Sequence, residues 1–567
     1  MKSLLGRAPH PFVPVAALAM LLMSGVVAPQ ARADECIDLP SEQLRGGRGC
    51  AGVPIGPLDG DEPADASGGA PREAAGFVLT GVRFDGNAAF GDEALLALVA
   101  RWLGATIEFA DIERMSEALT EHYRRAGYVL AHVVAAPQEV RGGVVRFDVY
   151  EGRLGAVRVA KRGGTLVPDA LIEAAIAPLR RGDALRQDVL ERAMLLLGDL
   201  PGLAPQASLE AGSAPGEFDL NIDMDASQRV VAGVDADNHG VRLGGEHRLG
   251  AFARINNPLG IGDSMDARLA RPLEHGRWQG RIAYETALPQ PGLRAGIGYS
   301  RSAYSLGEPY AALGAAGRAD IAELSLSYFL LRSRMRNLSL RIVAERKLLR
   351  DEFDALAQQF ARKATVLGAT LDFEGRDSAF GAGYSGAMLS VQLGRLSMES
   401  ADAWDADQSA SGPHAQGRYA RVLYRFVRLQ AIDETASAFV SLSGQWANRN
   451  LDSMERMAIG GPYGVRAYST SASLADEGQV LKLEYRLAPW RQATFYPFFD
   501  VGRARISHNP LPGVANHRYL RGAGLGMAWE PQRGLSLDAS LAWPMGKSDA
   551  ERQEKNPRLF AQIRKVF

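Results

Sequence analysis

The sequence predicts two small α+β modules followed by a transmembrane antiparallel β-barrel of sixteen strands. Three observations lead to this prediction: a secretory signal at the N-terminus, a β-α-α-β-β pattern that occurs twice in tandem, and a long C-terminal region in which apolar and polar side chains alternate. The 567 residues carry 64 basic and 65 acidic side chains. This balance argues against a nucleic-acid-binding protein, which normally has a basic excess.

Residues 1–33 are predicted to be a signal peptide. Lys2 and Arg7 form a basic start, an apolar stretch follows from Val13 to Val27, and Ala31-Arg32-Ala33 supplies the small residues of a cleavage site. After this signal we find no run of about 18 apolar residues that could cross a bilayer as a helix. A mature protein of this sequence that enters a membrane must therefore do so as a barrel.

Residues 34–75 are rich in Gly, Pro, Ala and Asp and are predicted to form a linker or loose arm. This segment contains the two cysteines of the chain, Cys36 and Cys50. In an oxidising periplasm the pair can form a disulfide with a local role, and the alternative is two free thiols in a flexible arm. The Gly and Pro content argues against a long helix in this segment.

The first module is predicted over residues 76–152. Its elements, read from apolar spacing and turn residues, are a strand over 77–84, helices over 92–103 and 110–125, and strands over 128–135 and 144–150. The same order repeats over residues 153–226. There the elements are a strand over 154–159, helices over 168–178 and 187–197, and strands near 205–211 and 217–224. Tandem modules of one order are typical of paired binding domains and not of a single enzyme core.

Residues 227–567 alternate with the period of a β-strand. From Leu481 to Leu487, for example, leucines and a tyrosine occupy one face and Lys, Glu and Arg the other. A soluble β-sandwich could also alternate, but the charged face recurs over so many segments that a wet lumen and a lipid-facing exterior fit better. About sixteen segments of this kind fit the region, which predicts a sixteen-stranded transmembrane barrel.

Four sets of short motifs stand out along the chain. They are Asp85-Gly86-Asn87, Gly127-Tyr128, Ala136-Pro137-Gln138-Glu139-Val140 and Glu151-Gly152 in the first module; Asp237-Asn238 and Asn256-Asn257-Pro258-Leu259-Gly260-Ile261-Gly262-Asp263 at the start of the barrel; Gly460-Gly461 with Val465-Arg466-Ala467-Tyr468; and Phe499-Asp500-Val501-Gly502. Together with the domain order they resemble the outer-membrane transporters of two-partner secretion, the haemolysin and filamentous-haemagglutinin secretion/activation family. In that family the modules are called POTRA domains and the barrel has sixteen strands.

The resemblance assigns a place to each barrel motif. Asn257, Pro258, Gly260, Gly262 and Asp263 resemble the NPLGxGD signature of the first periplasmic turn. Val465, Arg466 and Tyr468 resemble the VRGY motif, which in the family lies at the tip of the long sixth extracellular loop. The corresponding connection here is residues 450–478, which we expect to fold inward. Ala467 stands where that motif has Gly, so the backbone at this position must suit a residue with a Cβ atom.

Arg466 and Asp500 are predicted to form a site that holds the loop inside the barrel. If Phe499 faces lipid, then Asp500 faces the lumen, because successive strand side chains alternate. An arginine fork on a carboxylate is geometrically specific, and Val465, Tyr468 and Gly502 belong to the same motifs. The alternative is two solvated charges among many. Since desolvation offsets much of the attraction within a buried pair, we expect the pair to fix the position of the loop.

The resemblance implies a non-enzymatic secretion transporter of the outer membrane without cofactor or metal, whose N-terminal domains lie in the periplasm. It implies that the POTRA domains bind an unfolded, haemagglutinin- or haemolysin-like exoprotein, which the barrel then conducts to the cell surface. The other expected partners are outer-membrane lipid and the barrel assembly machinery, for which the aromatic Phe567 resembles a sorting signal. The alternative is an assembly factor that inserts other barrels, and a nutrient porin would leave the modules without a role.

Overall fold

The computed structural model describes residues 76–164, 166–241, 244–274, 278–307, 311–510, 513, 515–546 and 555–567. The expected signal peptide, the 34–75 arm and the pair Cys36 and Cys50 lie outside these ranges. The described chain forms two compact units, an N-terminal unit of α+β structure and a C-terminal β unit. Among the helices in these ranges, none has the length and apolar character needed to span a membrane.

The first α+β module has two helices on a small mixed sheet. Its elements are β1 (Phe77–Val78), β2 (Gly81–Asp85), α1 (Asp92–Val99), β3 (Thr106–Ile107), α2 (Phe109–Arg125), β4 (His132–Val134) and β5 (Val144–Tyr150). β5 is the central strand, with β2 parallel on one side and β4 antiparallel on the other. Phe147 of β5 and the α2 residues Met115, Leu119 and Tyr123 are fully buried in one core. Because these α2 residues recur at helical spacing, they form the apolar stripe that packs on the sheet.

Two strand predictions in this module were wrong in extent. The strand expected over 77–84 is divided into β1 and β2. The strand expected over 128–135 is reduced to β4, because Tyr128 donates its N–H to the carbonyl of Tyr123 and Ala131 donates to Tyr128, both at 3.0 Å. These bonds form turns after α2, and turns are not extended backbone.

The second α+β module repeats the element order of the first. It consists of β6 (Arg153–Lys161), α3 (Asp169–Ile176), α4 (Gln187–Gly198), β7 (Leu203–Ala211) and β8 (Glu217–Ala226). The central strand is β8, which is parallel to β6 and antiparallel to β7. The last strand thus lies in the middle of both sheets, so the two modules share a topology as well as an order of elements.

The C-terminal unit is a closed antiparallel barrel. Its elements are β9 (Val230–Asp237), β10 (Arg248–Asn256), β11 (Asp263–Pro272), β12 (Gln279–Ala287), β13 (Leu293–Ser305), β14 (Ala315–Arg332), β15 (Arg336–Phe353), β16 (Gln358–Asp377), β17 (Gly383–Met398), α5 (Ala401–Gln408), β18 (Gly417–Ala431), β19 (Ala436–Ala447), β20 (Met457–Ala458), β21 (Leu474–Ala475), β22 (Glu477–Trp490), β23 (Ala493–Arg505), β24 (His517–Gln532), β25 (Leu535–Pro544) and β26 (Arg558–Val566). All strands except β20 and β21 pair with their neighbours in the ring, and β26 pairs with β9 to close it. The prediction of sixteen strands is confirmed.

The alternation of side chains places an apolar surface outside and charges inside. On β22, Leu483, Tyr485 and Leu487 are exposed on the outer face, with exposed fractions of 37%, 44% and 39%. Glu484, which lies between them in sequence, is buried within the barrel. An apolar exterior around a polar lumen is the arrangement of a transmembrane barrel, because the lipid and not the core receives the apolar side chains.

Candidate functional site: the loop held inside the barrel

Residues 448–476 connect β19 to β22 and fold back into the lumen. The connection descends through a short 3-10 turn at Ser453–Glu455 and the ribbon of β20 and β21. Beyond the ribbon its tip is a tight turn, in which Val465 donates its N–H to Ile459 at 2.8 Å and Gly461 donates to Tyr468 at 2.9 Å. Val465 and Tyr468 are fully buried. The tip is therefore a packed element with its own backbone hydrogen bonds.

Arg466 joins this tip to the barrel wall. Its Nε and Nη2 atoms donate to the two carboxylate oxygens of Asp500, at 2.9 and 2.7 Å, and its backbone N–H donates to Asp500 Oδ2 at 3.0 Å. Its third nitrogen, Nη1, donates to Glu484 Oε1 at 2.7 Å. Asp500 is 0% exposed and Arg466 is 4% exposed. Arg466, Asp500 and Glu484 are called the tip anchor below.

Neighbouring side chains hold the tip anchor in place. The guanidinium carbon of Arg466 lies 3.5 Å from the ring centroid of Phe498, a distance at which a cation is attracted to an aromatic face. Arg486 donates to the second oxygen of Glu484 at 2.8 Å. Lys482, directly opposite Asp500 in the register of β22 and β23, donates to the carbonyl of Pro462 at 3.1 Å. Two strands thus supply carboxylates and a lysine to one turn of the loop.

Glycines in the wall leave room for the tip. A Cβ atom added to Gly502 would lie 2.4 Å from Ile459 Cγ2 and 2.9 Å from Val465 Cγ2. A Cβ atom added to Gly522 would lie 2.6 Å from the Cβ atom of Ala467. Contacts this short do not occur between real side chains, so these positions require glycine while the loop is inside. Since Gly502 is the last residue of the Phe499-Asp500-Val501-Gly502 motif, that motif supplies both the carboxylate and the space beside it.

Ala467, the departure from the family motif, is compatible with this geometry. The described non-glycine residues with positive φ are Asn257, Ala357, Phe380 and His414, so Ala467 has a backbone conformation that a residue with a Cβ atom adopts without strain. Its methyl group is fully buried. The extra atom of Ala467 is accepted because Gly522 lies opposite it.

A second set of buried charges holds the descending arm of the loop. Glu455, which is 2% exposed, accepts a hydrogen bond from Lys347 of β15 at 2.9 Å and forms an ion pair with Arg421 of β18. Asp452 accepts from Arg362 of β16, whose guanidinium also binds Asp351. We call these residues the arm anchor: Asp452, Glu455, Lys347, Arg362, Arg421 and Asp351. It lies on a different part of the ring from the tip anchor, because its wall residues come from β15, β16 and β18, whereas those of the tip anchor come from β22 and β23.

The end of the loop is fixed by a fully buried carboxylate. Asp476, just before β22, accepts from the side chain of Arg456 at 2.9 Å and from the backbone N–H groups of Leu451 and His508 at 3.1 and 2.9 Å. These donors belong to the start of the loop and to the next extracellular connection. Asp476 therefore ties the two ends of the loop together.

The turn between β10 and β11 is built by its own motif. Asn257 has a φ of 54°, and its side-chain oxygen accepts from the N–H of Gly262 at 2.9 Å. The carboxylate of Asp263 accepts from the N–H groups of Leu259 and Ile261 at 3.2 and 3.3 Å. Gly260 and Gly262 both have positive φ, which glycine adopts at little cost. These contacts give the motif a structural role at the turn.

Comparison with known proteins assigns the family. Residues 216–529, more than half of the chain, match the family described as haemolysin secretion/activation protein ShlB/FhaC/HecB. The chain belongs to this family. Residues 77–152 match the POTRA domain of ShlB type.

Members of the ShlB/FhaC/HecB family and their relatives resemble the chain over most of its length. The heme/hemopexin transporter protein HuxB of Haemophilus influenzae (strain 86-028NP) is 24% identical over 458 residues, 80% of each chain. The outer membrane transporter CdiB of Dickeya dadantii (strain 3937) is 22% identical over 490 residues, 83% of each chain. The solved structure of CdiB from Escherichia coli matches 95% of this chain and 98% of its own with a TM-score of 0.67 and 18% identity, which shows a shared fold.

The ShlB/FhaC/HecB assignment settles the class and location of the protein. It is a two-partner secretion transporter of the outer membrane and not an enzyme, and its N-terminal POTRA region lies in the periplasm. The chain therefore enters β9 from the periplasmic side. Successive turns of the antiparallel ring then alternate between the two membrane faces, which places the β10–β11 turn at the periplasm and residues 448–476 among the extracellular connections.

Sequence reasoning placed Arg466 and Asp500 in one site, and the structure brings them into contact. It missed Glu484 and the whole arm anchor. Glu484 lies on the charged face of an alternating strand, where nothing in the pattern separates it from other inward carboxylates. A usable signal for the arm anchor was present, since Asp452 and Glu455 begin the long connection while Lys347 and Arg421 occupy inward positions of their strands.

Phe567 belongs to neither anchor, is exposed, and donates its backbone N–H to the carbonyl of Ala232 at 2.8 Å.

Proposed function

We propose that residues 76–152 and 153–226 are two POTRA domains that bind an unfolded exoprotein in the periplasm, and that the barrel of residues 227–567 conducts this exoprotein to the cell surface. The shared topology of the two modules supports a second POTRA domain. Each sheet has two edge strands, β2 and β4 in one and β6 and β7 in the other, and the start of β6 is already bridged to residues 182–184. An extended chain can add to such an edge through main-chain hydrogen bonds, which do not depend on a folded partner.

The observation that carries the proposal is the position of the loop. Residues 448–476 lie in the lumen that the exoprotein would cross, and the tip anchor and the arm anchor hold them there. We infer that the loop must leave or shift for transport and that the anchors define its resting position. Val465, Arg466, Tyr468, Asp500 and Gly502 are the residues to which we assign this role.

The cargo is proposed to be a large secreted protein encoded with the transporter. HuxB is described as a heme/hemopexin transporter protein, and a haemagglutinin- or haemolysin-like exoprotein fits the ShlB/FhaC/HecB family.

We further propose that Phe567, beside β26, contacts the barrel assembly machinery during insertion. Cys36 and Cys50 are proposed to be paired and dispensable for transport, which mass spectrometry of fresh protein and export by the double serine variant test directly.

A secretion assay with the cognate exoprotein tests the proposal. Deletion of residues 76–152, or of residues 153–226, is expected to leave a membrane-inserted barrel without export. Insertion is measured by heat-modifiable gel migration and export by the exoprotein at the cell surface. Full export after either deletion would refute the role of the modules. Normal export combined with failure of other barrels to insert would instead favour an assembly factor.

A further inference from the structure

We propose that the outer face of β15–β18 carries a binding site for the phosphate-bearing headgroups of the glycolipid in the outer leaflet of the outer membrane. The site is a row of basic side chains across four neighbouring strands. Its members are Arg346 on β15, Lys363 on β16, Arg395 on β17 and Arg418 on β18. This inference uses the outer-membrane location of the barrel and is independent of its cargo.

The strand register aligns these residues. Arg346 is directly opposite Thr365, Thr365 is directly opposite Arg395, and Arg395 is directly opposite Arg418. Lys363 lies two residues from Thr365 and therefore on the same face of β16. With strands about 4.8 Å apart, three guanidinium groups and one ammonium group share a short segment of the outer wall.

The alternation of the strands directs this row away from the lumen. Lys347 and Arg362 are inward residues of the arm anchor, and each is the sequence neighbour of a row member. Successive strand residues point to opposite faces, so Arg346 and Lys363 point outward. Arg346, Arg395 and Arg418 are exposed.

The row lies near the extracellular end of the apolar band. On β17, Leu389, Val391 and Leu393 are exposed on the outer face, and Arg395 is the next outward residue toward the cell exterior. On β15 the outward apolar residues begin at Leu338, and Arg346 lies eight positions later, between the outward residues Ala344 and Leu348. At a rise of about 3.3 Å per residue and a tilt of about 40°, eight residues span about 20 Å, close to the roughly 25 Å height of a lipid-facing band. Leu348 is the one outward apolar residue of β15 beyond Arg346, so the basic side chains lie close to headgroup level, which the long side chains of Arg and Lys can reach.

These cations lack a partner in the part of the chain that the structure describes. Arg346, Lys363, Arg395 and Arg418 form no ion pair there, whereas Arg301 on nearby β13 is paired with Asp320 at 2.5 Å. Like charges directly opposite on neighbouring strands destabilise a sheet. The opposition of Arg395 and Arg418 therefore calls for an external anion between them.

Phosphate is the anion that fits this position. An arginine fork binds a phosphate through two parallel hydrogen bonds, and basic side chains at a membrane surface are attracted to anionic lipid. In the outer leaflet of an outer membrane the phosphates belong to the lipid A part of lipopolysaccharide. We assign the row to these phosphates, with the exposed leucines below it contacting the acyl chains.

The test uses the full-length protein in an uncharged detergent, titrated with lipopolysaccharide while its thermal stability is followed. The variant Arg346→Gln/Arg395→Gln/Arg418→Gln removes three charges and keeps polar side chains of similar length. At about fivefold per basic residue, its apparent affinity is expected to fall roughly 100-fold. The control is Arg271→Gln, an exposed arginine of β11 that is opposite Leu249 and outside the row. It is expected to change the affinity less than about fivefold.

Two further probes identify the ligand. Lipopolysaccharide without its lipid A phosphates is expected to bind the wild-type protein as weakly as intact lipopolysaccharide binds the triple variant. Inorganic phosphate at the same concentration is expected to give no stabilisation. Equal affinity of wild type and triple variant, or of the two lipids, would overturn the proposal. Stabilisation by inorganic phosphate equal to that by the lipid would overturn the assignment to a headgroup.

Discussion

Replacing Arg466 by Ala removes three side-chain hydrogen bonds, two to Asp500 and one to Glu484, and leaves the backbone bond to Asp500 in place. Glu484 keeps its bonds to Arg486, so the main loss falls on Asp500. Removing one partner of a buried ion pair costs about 3–5 kcal/mol. A wet lumen allows Asp500 to rehydrate once the loop leaves, so we expect about 3 kcal/mol, or a roughly 100-fold rise in the displaced population.

Protease sensitivity of residues 448–476 measures this change. When the loop returns faster than it is cut, the cleavage rate follows the population of the displaced state. We expect Arg466→Ala to raise the cleavage rate while heat-modifiable migration shows an inserted, folded barrel. Export of the exoprotein is expected to fall severely, because the loop loses its defined resting position.

A double-mutant cycle separates a joint site from two independent residues. Asp500→Ala is expected to reproduce the Arg466→Ala phenotype, and the double variant to be little worse than either, since residues of one network are non-additive. Arg503→Ala is the control, because Arg503 is an exposed residue of the same strand as Asp500. Additive defects in the cycle, or an equal effect of Arg503→Ala, would refute the tip anchor.

Three further predictions concern other contacts. Glu455→Gln removes the carboxylate that the buried cations Lys347 and Arg421 share, although Lys347 keeps Glu345 at 3.2 Å, and we expect loop cleavage to rise as for a broken buried pair of about 3 kcal/mol. Gly502→Val places side-chain atoms where Ile459 lies, and we expect an inserted barrel with a permanently protease-sensitive loop. Burial and the nearby Glu151 raise the pKa of Tyr123, so its contribution to stability is present below about pH 10 and is lost above it.

Each of these predictions has its own control. For Glu455→Gln the comparison is Glu399→Gln, an exposed carboxylate, and equal cleavage of the two variants would contradict the arm anchor. For Gly502→Val it is Gly368→Ala, where the nearest atom lies 3.4 Å from the added Cβ, and unchanged loop protection in the valine variant would contradict the packing. For Tyr123, the variant Tyr123→Phe is expected to flatten the decline in melting temperature above pH 10. An unaltered decline would show that other groups cause it.

The barrel could be predicted from sequence because one physical rule repeats in every strand. A lipid-facing side chain must be apolar and the lumen is wet, so alternation marks each strand and its faces. The first and last residues of each helix or strand are marked by weaker sequence signals. The residues from Tyr128 to Ala131 have strand-like composition, yet hydrogen bonds back to the end of α2 turn them away from extended structure. The amino-acid composition of a segment does not predict such a hydrogen bond.

From the sequence, only those residues of the site that belong to a family motif could be predicted. Arg466 and Asp500 are 34 residues apart, and the resemblance, not the spacing, joined them. Glu484 reaches Arg466 because the register of β22 places Lys482 opposite Asp500, which puts Glu484 on the same inner face beside the tip. Register and loop course are tertiary properties, so the third member of the tip anchor had no local signal.

The two anchors explain how a loop can be well placed and still be displaced. Buried ion pairs add little net stability, because desolvation offsets most of their attraction, but their geometry specifies one position. The arm anchor uses β15, β16 and β18 and the tip anchor uses β22 and β23, so the anchors hold the arm and the tip at different parts of the ring. Moving the loop exposes charges on both sides of each pair to water together, which lowers the cost of separation. The tip also buries Ile459, Val465 and Tyr468 against the wall, and their apolar surface meets water when the loop leaves. These apolar contacts therefore supply the resistance to displacement, while the ion pairs specify the position to which the loop returns.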